Sequence, residues 1–210
     1  MKPKYLPFIV LLLSLFTTTC NQPPATPPPP TEEAATAKIN YVPFSDETLG
    51  LATVYPEDWV VQTVFGGLTI ASSQAVIDAE SLANLGEEGF VNFIPGELGV
   101  FNLQTGQDFR PIDALIALGV YKQLLEREGQ SYQIVEPAHS LDIEAQSAGM
   151  MVLRSTEEGE PLITILAVII NEDYMALISA ASLEPSAATM RPIFDRIINS
   201  TQVTFPAGIK

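Results

Sequence analysis

Side chains able to do covalent or metal chemistry are few in this chain, and their spacing limits what they could do together. His139 is the single histidine and Cys20 the single cysteine among 210 residues. That excludes a zinc site built from several His and Cys ligands, and any intrachain disulfide. His139 stands beside Ser140, but adjacent side chains rarely form a Ser-His-acid triad, and the chain has no Gly-x-Ser-x-Gly elbow. His139 reads as a loop histidine in a turn between strands.

Carboxylates are the abundant reactive group. Asp142 and Glu144 alternate on what reads as one strand face, while Glu57-Asp58, Glu87-Glu88 and Glu157-Glu158 fall in turn-forming sequence. Glycoside hydrolysis needs two carboxyls flanking a sugar, roughly 5 to 9.5 Å apart. Solvated turns account for these acids without it. The run Glu157 to Glu160 offers oxygen ligands but lacks the spacing of an EF-hand loop. Gly86-Glu87-Glu88-Gly89 is acidic where a phosphate cradle needs donors and positive charge. No catalytic, metal-binding or cofactor-binding residue is assigned, and the chain reads as a non-enzyme. Tyr55 and Trp59 suggest a recognition patch, but a large aromatic beside a turn more readily anchors that turn in the core.

Cys20 has a better explanation. Lys2 and Lys4 precede an apolar run from Tyr5 to Phe16, then Thr17, Thr18, Thr19 and Cys20. A basic start, a short apolar core and small residues near a cut make a secretory signal. The run is too short for a helix crossing a ~30 Å hydrocarbon core. The region resembles the lipobox of bacterial lipoproteins, although Thr17 and Thr19 stand where Leu and a small residue are usual. That resemblance implies removal of residues 1–19 and fatty acylation, including palmitate, of Cys20. Several acyl chains matter physically, because one alone gives only marginal membrane attachment. Residues 20–38 follow as a tether. Pro23, Pro24 and Pro27 to Pro30 favour extended polyproline geometry, a semi-rigid spacer. Asn199-Ser200-Thr201 has the form of a glycosylation acceptor, which a bacterial lipoprotein would leave unused.

The full chain carries a formal charge of −15, and loss of Lys2 and Lys4 takes it to about −17. No basic patch exists to neutralise phosphates, which excludes a nucleic-acid partner. The same charge keeps the folded body off anionic lipid.

Residues 39–210 read as a single domain of closely spaced strands and helices. Leu51 to Tyr55 and Trp59 to Val64 read as a hairpin across Pro56-Glu57-Asp58, with Leu68 to Ser72 as a third strand. Ser73 to Leu85 is helical, Phe90 to Ile94 a strand, and Glu97 to Gln107 a loop. The spacing predicts a long helix over Asp108 to Glu128, capped by Asp108 and entered through Pro111. Ile112, Leu115, Ile116, Val120 and Leu124 form its inner stripe, and Gly119 permits a close approach to a sheet. Tyr132 to Val135, Leu141 to Ala145, Ala148 to Ser155, Pro161 to Ile170 and Tyr174 to Ala181 are strands. LITILAVII, at 162–170, is apolar throughout and belongs at the centre of a sheet. A last helix over Pro185 to Ile198 buries Met190, Ile193, Phe194, Ile197 and Ile198, and Gln202 to Phe205 adds an edge strand.

Two stretches resemble the Mog1/PsbP-like superfamily, which includes PsbP of photosystem II and bacterial lipoproteins of the DcrB and LpqN kind. One is Gly50-Leu51-Ala52-Thr53-Val54-Tyr55-Pro56-Glu57-Asp58-Trp59 followed by Gly66-Gly67 and Leu68 to Ser72. The other is the Asp173-Tyr174 strand with Pro192 to Thr201, a helix closing on Ile-x-x-Ser. The resemblance spans roughly residues 40 to 205. It implies an α+β fold, an α/β/α sandwich with a central antiparallel sheet, and no shared chemistry.

The expectation is therefore a non-enzymatic, extracytoplasmic lipoprotein, anchored to a bacterial membrane through lipid on Cys20 and acting on an envelope protein partner. The alternatives are a lipoprotein binding a small molecule or ion for uptake, and a hydrolase using clustered acids. Replacing Cys20 by Ser should move the protein from the detergent phase to the aqueous phase of a Triton X-114 separation, and leave the signal uncut at that site. An unchanged distribution, or a native protein whose mass retains residues 1–19, overturns the anchor.

Overall fold

A computed structural model describes residues 38–64, 66–78, 88–105, 113–127, 131–155 and 161–206. Cys20, the signal and nearly all of the tether lie outside the described residues. So do the Glu157 to Glu160 turn, Gly86, Glu87, Asp108, Pro111 and Ile112. Lys38–Lys210 form one compact unit.

Two antiparallel sheets build it. In the larger, the strands run β3 (Val60–Val64), β4 (Gly67–Ala71), β5 (Gly89–Glu97), β9 (Tyr174–Leu183), β8 (Leu162–Asn171), β7 (Ser147–Ser155), β6 (Tyr132–Leu141). The smaller holds β1 (Tyr41–Asp46), β2 (Leu51–Pro56) and β10 (Gln202–Val203), with β2 in the middle. The helices are α1 (Gln74–Ile77), α2 (Leu98–Thr105), α3 (Ala114–Arg127) and α4 (Ala187–Asn199). A 3₁₀ turn, Glu184–Ser186, leads into α4.

The central place expected for 162–170 holds. Ile165 to Ile170 are each no more than 1 % exposed, with β7 and β9 paired on either side. Its two faces carry separate cores. Ile165, Ala167 and Ile169 join Leu68, Ile70, Val91 and Phe93 beneath the α4 stripe Met190, Ile193, Phe194, Ile197 and Ile198. Leu166, Val168 and Ile170 join Met151, Leu153, Met175 and Leu177 beneath α2 and α3. The architecture is an α/β/α sandwich whose α4 layer is completed by the small sheet. Trp59 anchors the first core, its ring edge-on to Phe194 with centroids 6.3 Å apart.

Four local expectations give way to tertiary contacts. The hairpin across Pro56-Glu57-Asp58 is a crossing between sheets. The Pro56 carbonyl accepts from the Trp59 amide at 2.9 Å, but β2 pairs with β1 and β10, and β3 with β4. Both edges of β2 are already taken, by a strand over 41–46 that the sequence reading passed over and by the C-terminal segment.

The expected loop after β5 contains α2. Leu98 and Phe101, one turn apart, are 0 % and 7 % exposed in the second core. Burying two such side chains contributes about 1.5–3 kcal/mol each, more than the roughly 1 kcal/mol that Gly99 costs a helix.

Helix α3 begins at Ala114. The Asp113 carboxylate caps it, accepting from the Leu115 amide at 2.8 Å and more weakly from Ile116. Its buried face is Ala114, Ala117, Leu118 and Val120, while Ile116, expected inside, is 53 % exposed. Gly119 faces open space. The glycine that lets helix and sheet approach is Gly149 in β7, where a Cβ would sit 2.7 Å from Leu115 Cδ2. Small residues win the inner face because they bring the helix close.

The strands expected at Tyr132 to Val135 and Leu141 to Ala145 are instead one edge strand, β6. It shifts register between Ile134 and Glu136 and again between Glu136 and His139. An edge strand tolerates Pro137, which has no amide hydrogen to offer, and such bulges. Residues 142–146 turn, with Ala145 at φ 59°.

The end of α4 is tied to β2 by hydroxyls. Ser200 Oγ accepts from the Val54 amide at 3.0 Å and donates to the Ile197 carbonyl at 2.9 Å. Thr53 and Thr201, both buried, donate to that same carbonyl. Gly50, at φ +61°, accepts from the Thr204 amide at 2.8 Å, and a Cβ there would lie 2.0 Å from the Thr204 oxygen. Gly50→Ala should therefore cost about 2 kcal/mol or more, combining left-handed strain with a backbone clash. Gly119→Ala, in open space on a helix, should stabilise by roughly 0.5–1 kcal/mol. Urea unfolding measures both; opposite signs are expected, and equal effects would contradict this packing.

Candidate functional site

Helix α4 covers the first face of the large sheet unevenly. Its middle and end present Ile193, Phe194, Ile197 and Ile198, but its first turn presents Ala187 and Ala188. Side chains that stop at Cβ leave the sheet beneath them uncovered. A trough of about 360 Å³ results, floored by Val152, Ile163, Ile165 and Ser182 and walled by α4 and by Val135 and Glu136 of β6.

Charged side chains link its walls. Arg191 of α4 donates through Nη1 and Nη2 to the two Glu136 oxygens, at 2.6 and 3.0 Å, and through Nε to both Asp195 oxygens at 2.8 Å. One guanidinium thus holds helix to edge strand between two carboxylates, the bidentate geometry that suits arginine. The Arg191 hydrogen bonds hold the Glu136 carboxyl below the ordinary glutamate range, against the opposing pull of desolvation, with smaller contributions from the Arg191 and His139 charges. Arg154 of β7 makes a similar bidentate pair with Glu184 at the start of the 3₁₀ turn, at 2.9 and 2.8 Å.

Ser182 differs from these. It is 1 % exposed, and its Oγ is the buried side-chain polar atom without a hydrogen-bond partner among the described residues. An unsatisfied buried hydroxyl costs about 1–3 kcal/mol. A second hollow, of about 300 Å³, lies beside α2, with Ile94 and Val100 about half exposed on it. Its Tyr174 hydroxyl is occupied, donating to the Leu49 carbonyl at 3.2 Å; burial, with Glu97 nearby, pushes that phenol's pKa up.

Among the described residues, those singled out from the sequence form no metal-binding group. His139 is exposed on strand β6 rather than in a turn, its Nδ1 3.1 Å from the Pro137 carbonyl oxygen. Ser140 follows it in register, so the two side chains point to opposite faces. Asp142 and Glu144 lie past the end of β6, exposed in and before a turn rather than sharing a strand face. Glu57 and Asp58 are exposed in their turn, and Glu57 accepts from Asn40 Nδ2 at 2.6 Å. Tyr55 packs partly buried against the core beside the anchoring Trp59. Ser200 and Thr201 serve the α4–β2 tie, while Asn199 is exposed. Among the described residues no three or more His, Cys, Asp or Glu side chains are grouped to hold a metal ion.

Arg191, Glu136 and Ser182 were missed by the sequence reading. Arg191 and Asp195 stand four apart on a helix, in a chain with only 10 Lys and Arg, which is a legible signal. Nothing local marks Ser182.

An α/β/α sandwich with a central antiparallel sheet flanked by helices has the topology of a Mog1/PsbP-like fold. Solved structures agree. Cyanobacterial PsbP (CyanoP) from Synechocystis sp. PCC 6803 superposes with a TM-score of 0.56 at 13 % identity, covering 81 % of this chain and 96 % of that one. The Ran-binding protein Mog1p of Saccharomyces cerevisiae gives 0.54 at 12 % identity, covering 79 % and 96 %. LpqN of Mycobacterium tuberculosis overlaps less well, at 0.46 and 10 % identity, covering 80 % and 92 %. Identities this low establish the fold alone. No protein-family model matches the chain, and no curated protein matches it in sequence.

The Arg191–Glu136 bridge predicts a pH-dependent contribution to stability. A carboxyl whose pKa is lowered by folding stabilises above its unfolded value, about 4.3, and loses that contribution as pH falls through its folded value. Because the pair is partly exposed (31 % and 40 % for the two side chains), Glu136→Gln should cost no more than about 1 kcal/mol at pH 7. The difference should be smaller at pH 3, below the unfolded value. Denaturant titrations at the two pH values check this; an equal loss at both would show that Glu136 acts by packing and not by charge.

Proposed function

We propose that the chain is a non-catalytic binding module, held outside the cytoplasm on a bacterial membrane by lipid on Cys20, that serves an envelope protein as an accessory or assembly factor. One observation carries the reading: β6 is one of the two end strands of the large sheet, and Ile134 and Val135, consecutive on it, are 51 % and 50 % exposed. Two large apolar side chains on an end strand with no second strand partner among the described residues are suited to an extended apolar segment of another protein, since strand addition takes affinity from main-chain bonds and specificity from side-chain pockets. The bulges and Pro137 that follow limit such pairing to the Tyr132 end, which guards against indiscriminate association. That Mog1p, on a similar sandwich, is a Ran-binding protein supports a protein-binding role for this architecture. The lone cysteine after an apolar signal, the proline tether and the acidic body support the location.

A photo-crosslinking residue placed at Ile134 in the full chain, in the cells that make it, tests the idea. The expected result is one reproducible envelope protein, absent when the crosslinker sits at exposed Asp142. No discrete product from Ile134, or the same products from both sites, overturns it.

A further inference from the structure

We propose that the trough between α4 and β6 is a binding site for a neutral, largely apolar small molecule carrying one hydroxyl or carbonyl group. This goes beyond the protein-accessory reading, and neither depends on the other. Three observations converge on the ligand's chemistry.

The first is the unpaired hydroxyl. Along β9, the residues facing the same core as Ser182 are Tyr174, Ala176, Ile178 and Ala180. The Tyr174 hydroxyl is bonded to the Leu49 carbonyl, whereas Ser182 stands where the cover of α4 ends and the trough opens. A water there would be poorly held, since a buried water needs two to four polar partners and the floor around Ser182 is Val152, Ile163 and Ile165. A ligand group that donates to or accepts from Ser182 Oγ supplies the missing bond.

The second is the surrounding surface. Apart from Ser182, the floor is aliphatic, Phe194 closes one side, and Ala187 and Ala188 keep the other shallow. A volume of about 360 Å³ falls in the range of small-molecule sites, which are mostly apolar with a few placed polar groups.

The third is charge. Arg191 is already held between Glu136 and Asp195, and Arg154 is paired with Glu184. Three carboxylates thus pair with the two guanidiniums, and Glu136, Glu184 and Arg191 line the trough, in a chain of net charge −15. An anionic head group meets no spare cation among the described lining residues, and a cationic one would have to leave water for an aliphatic floor. A neutral molecule meets neither cost.

Titrating decan-1-ol, decanoate and decylammonium into the Lys38–Lys210 unit, which contains every core cluster, tests the assignment through methyl NMR shifts of Val152, Ile163 and Ile165. Ser182→Ala removes the hydroxyl without adding volume, and Ala188→Trp fills the trough from an exposed helix position, so both variants should stay folded. Decan-1-ol should shift these methyls saturably, about fivefold more weakly in Ser182→Ala and not at all in Ala188→Trp. Both charged probes should bind at least tenfold more weakly than the alcohol. No saturable shift up to the alcohol's solubility, unchanged affinity in either folded variant, or a charged probe binding as tightly as the alcohol would overturn it. Crosslinking at Ile134 is unaffected by any of these outcomes, so failure here leaves the protein-accessory reading standing.

Discussion

The structure depends on a strand that is apolar on both faces. Ile165 to Ile170 expose almost nothing, and alternate residues point into two separate cores. Each such aliphatic side chain contributes about 1.5–3 kcal/mol when fully buried, while a whole domain is stable by only about 5–15 kcal/mol. Leaving either face of β8 wet would forfeit much of that margin, so layers are required above and below. Helix α4 and the small sheet supply one, α2 and α3 the other. The remaining strands are arranged so that β8 keeps a neighbour along each edge.

How well each layer covers the sheet follows from side-chain size. On the α3 side, alanines on the helix and Gly149 on the sheet bring the two surfaces into contact. On the α4 side, Phe194 lies over Gly89, where a Cβ would come within 2.7 Å of its ring, and Trp59 closes against it. Further toward the start of α4 the large side chains stop and the alanines begin. There Arg191 reaches across to Glu136 in an ion pair. The trough is the consequence. It sits at the β6 end of the sheet, beside the exposed Val135 and Ile134.

Much of the architecture was legible in the sequence. The apolar run of β8, the strands read on either side of it and the α4 stripe place most of the second half of the domain. Trp59 reads correctly as an anchor. Less of the site was legible. His139 and the acid pairs drew attention because their chemistry is versatile, yet among the described residues His139, Glu57, Asp58, Asp142 and Glu144 are all exposed. The residues that do meet, Glu136, Arg191 and Ser182, come from an edge strand, a helix and a central strand.

Periodicity is a local property, so the sequence by itself determined which segments are strands or helices with an apolar side, and that two-faced β8 needs cover twice over. It also determined the acidic charge and the poverty of cysteine and histidine, which hold whatever the fold. Only the tertiary structure decided which partner each surface meets. It routed β2 to β1 and β10 instead of β3, turned α3 to its alanine face, and gave the close approach to Gly149 instead of Gly119. It left the Ser182 hydroxyl without a hydrogen-bond partner among the described residues, beneath a thin stretch of helix. Those outcomes depend on contacts between segments distant in the chain, where burial and backbone pairing across the whole domain outweigh what any short window of residues prefers.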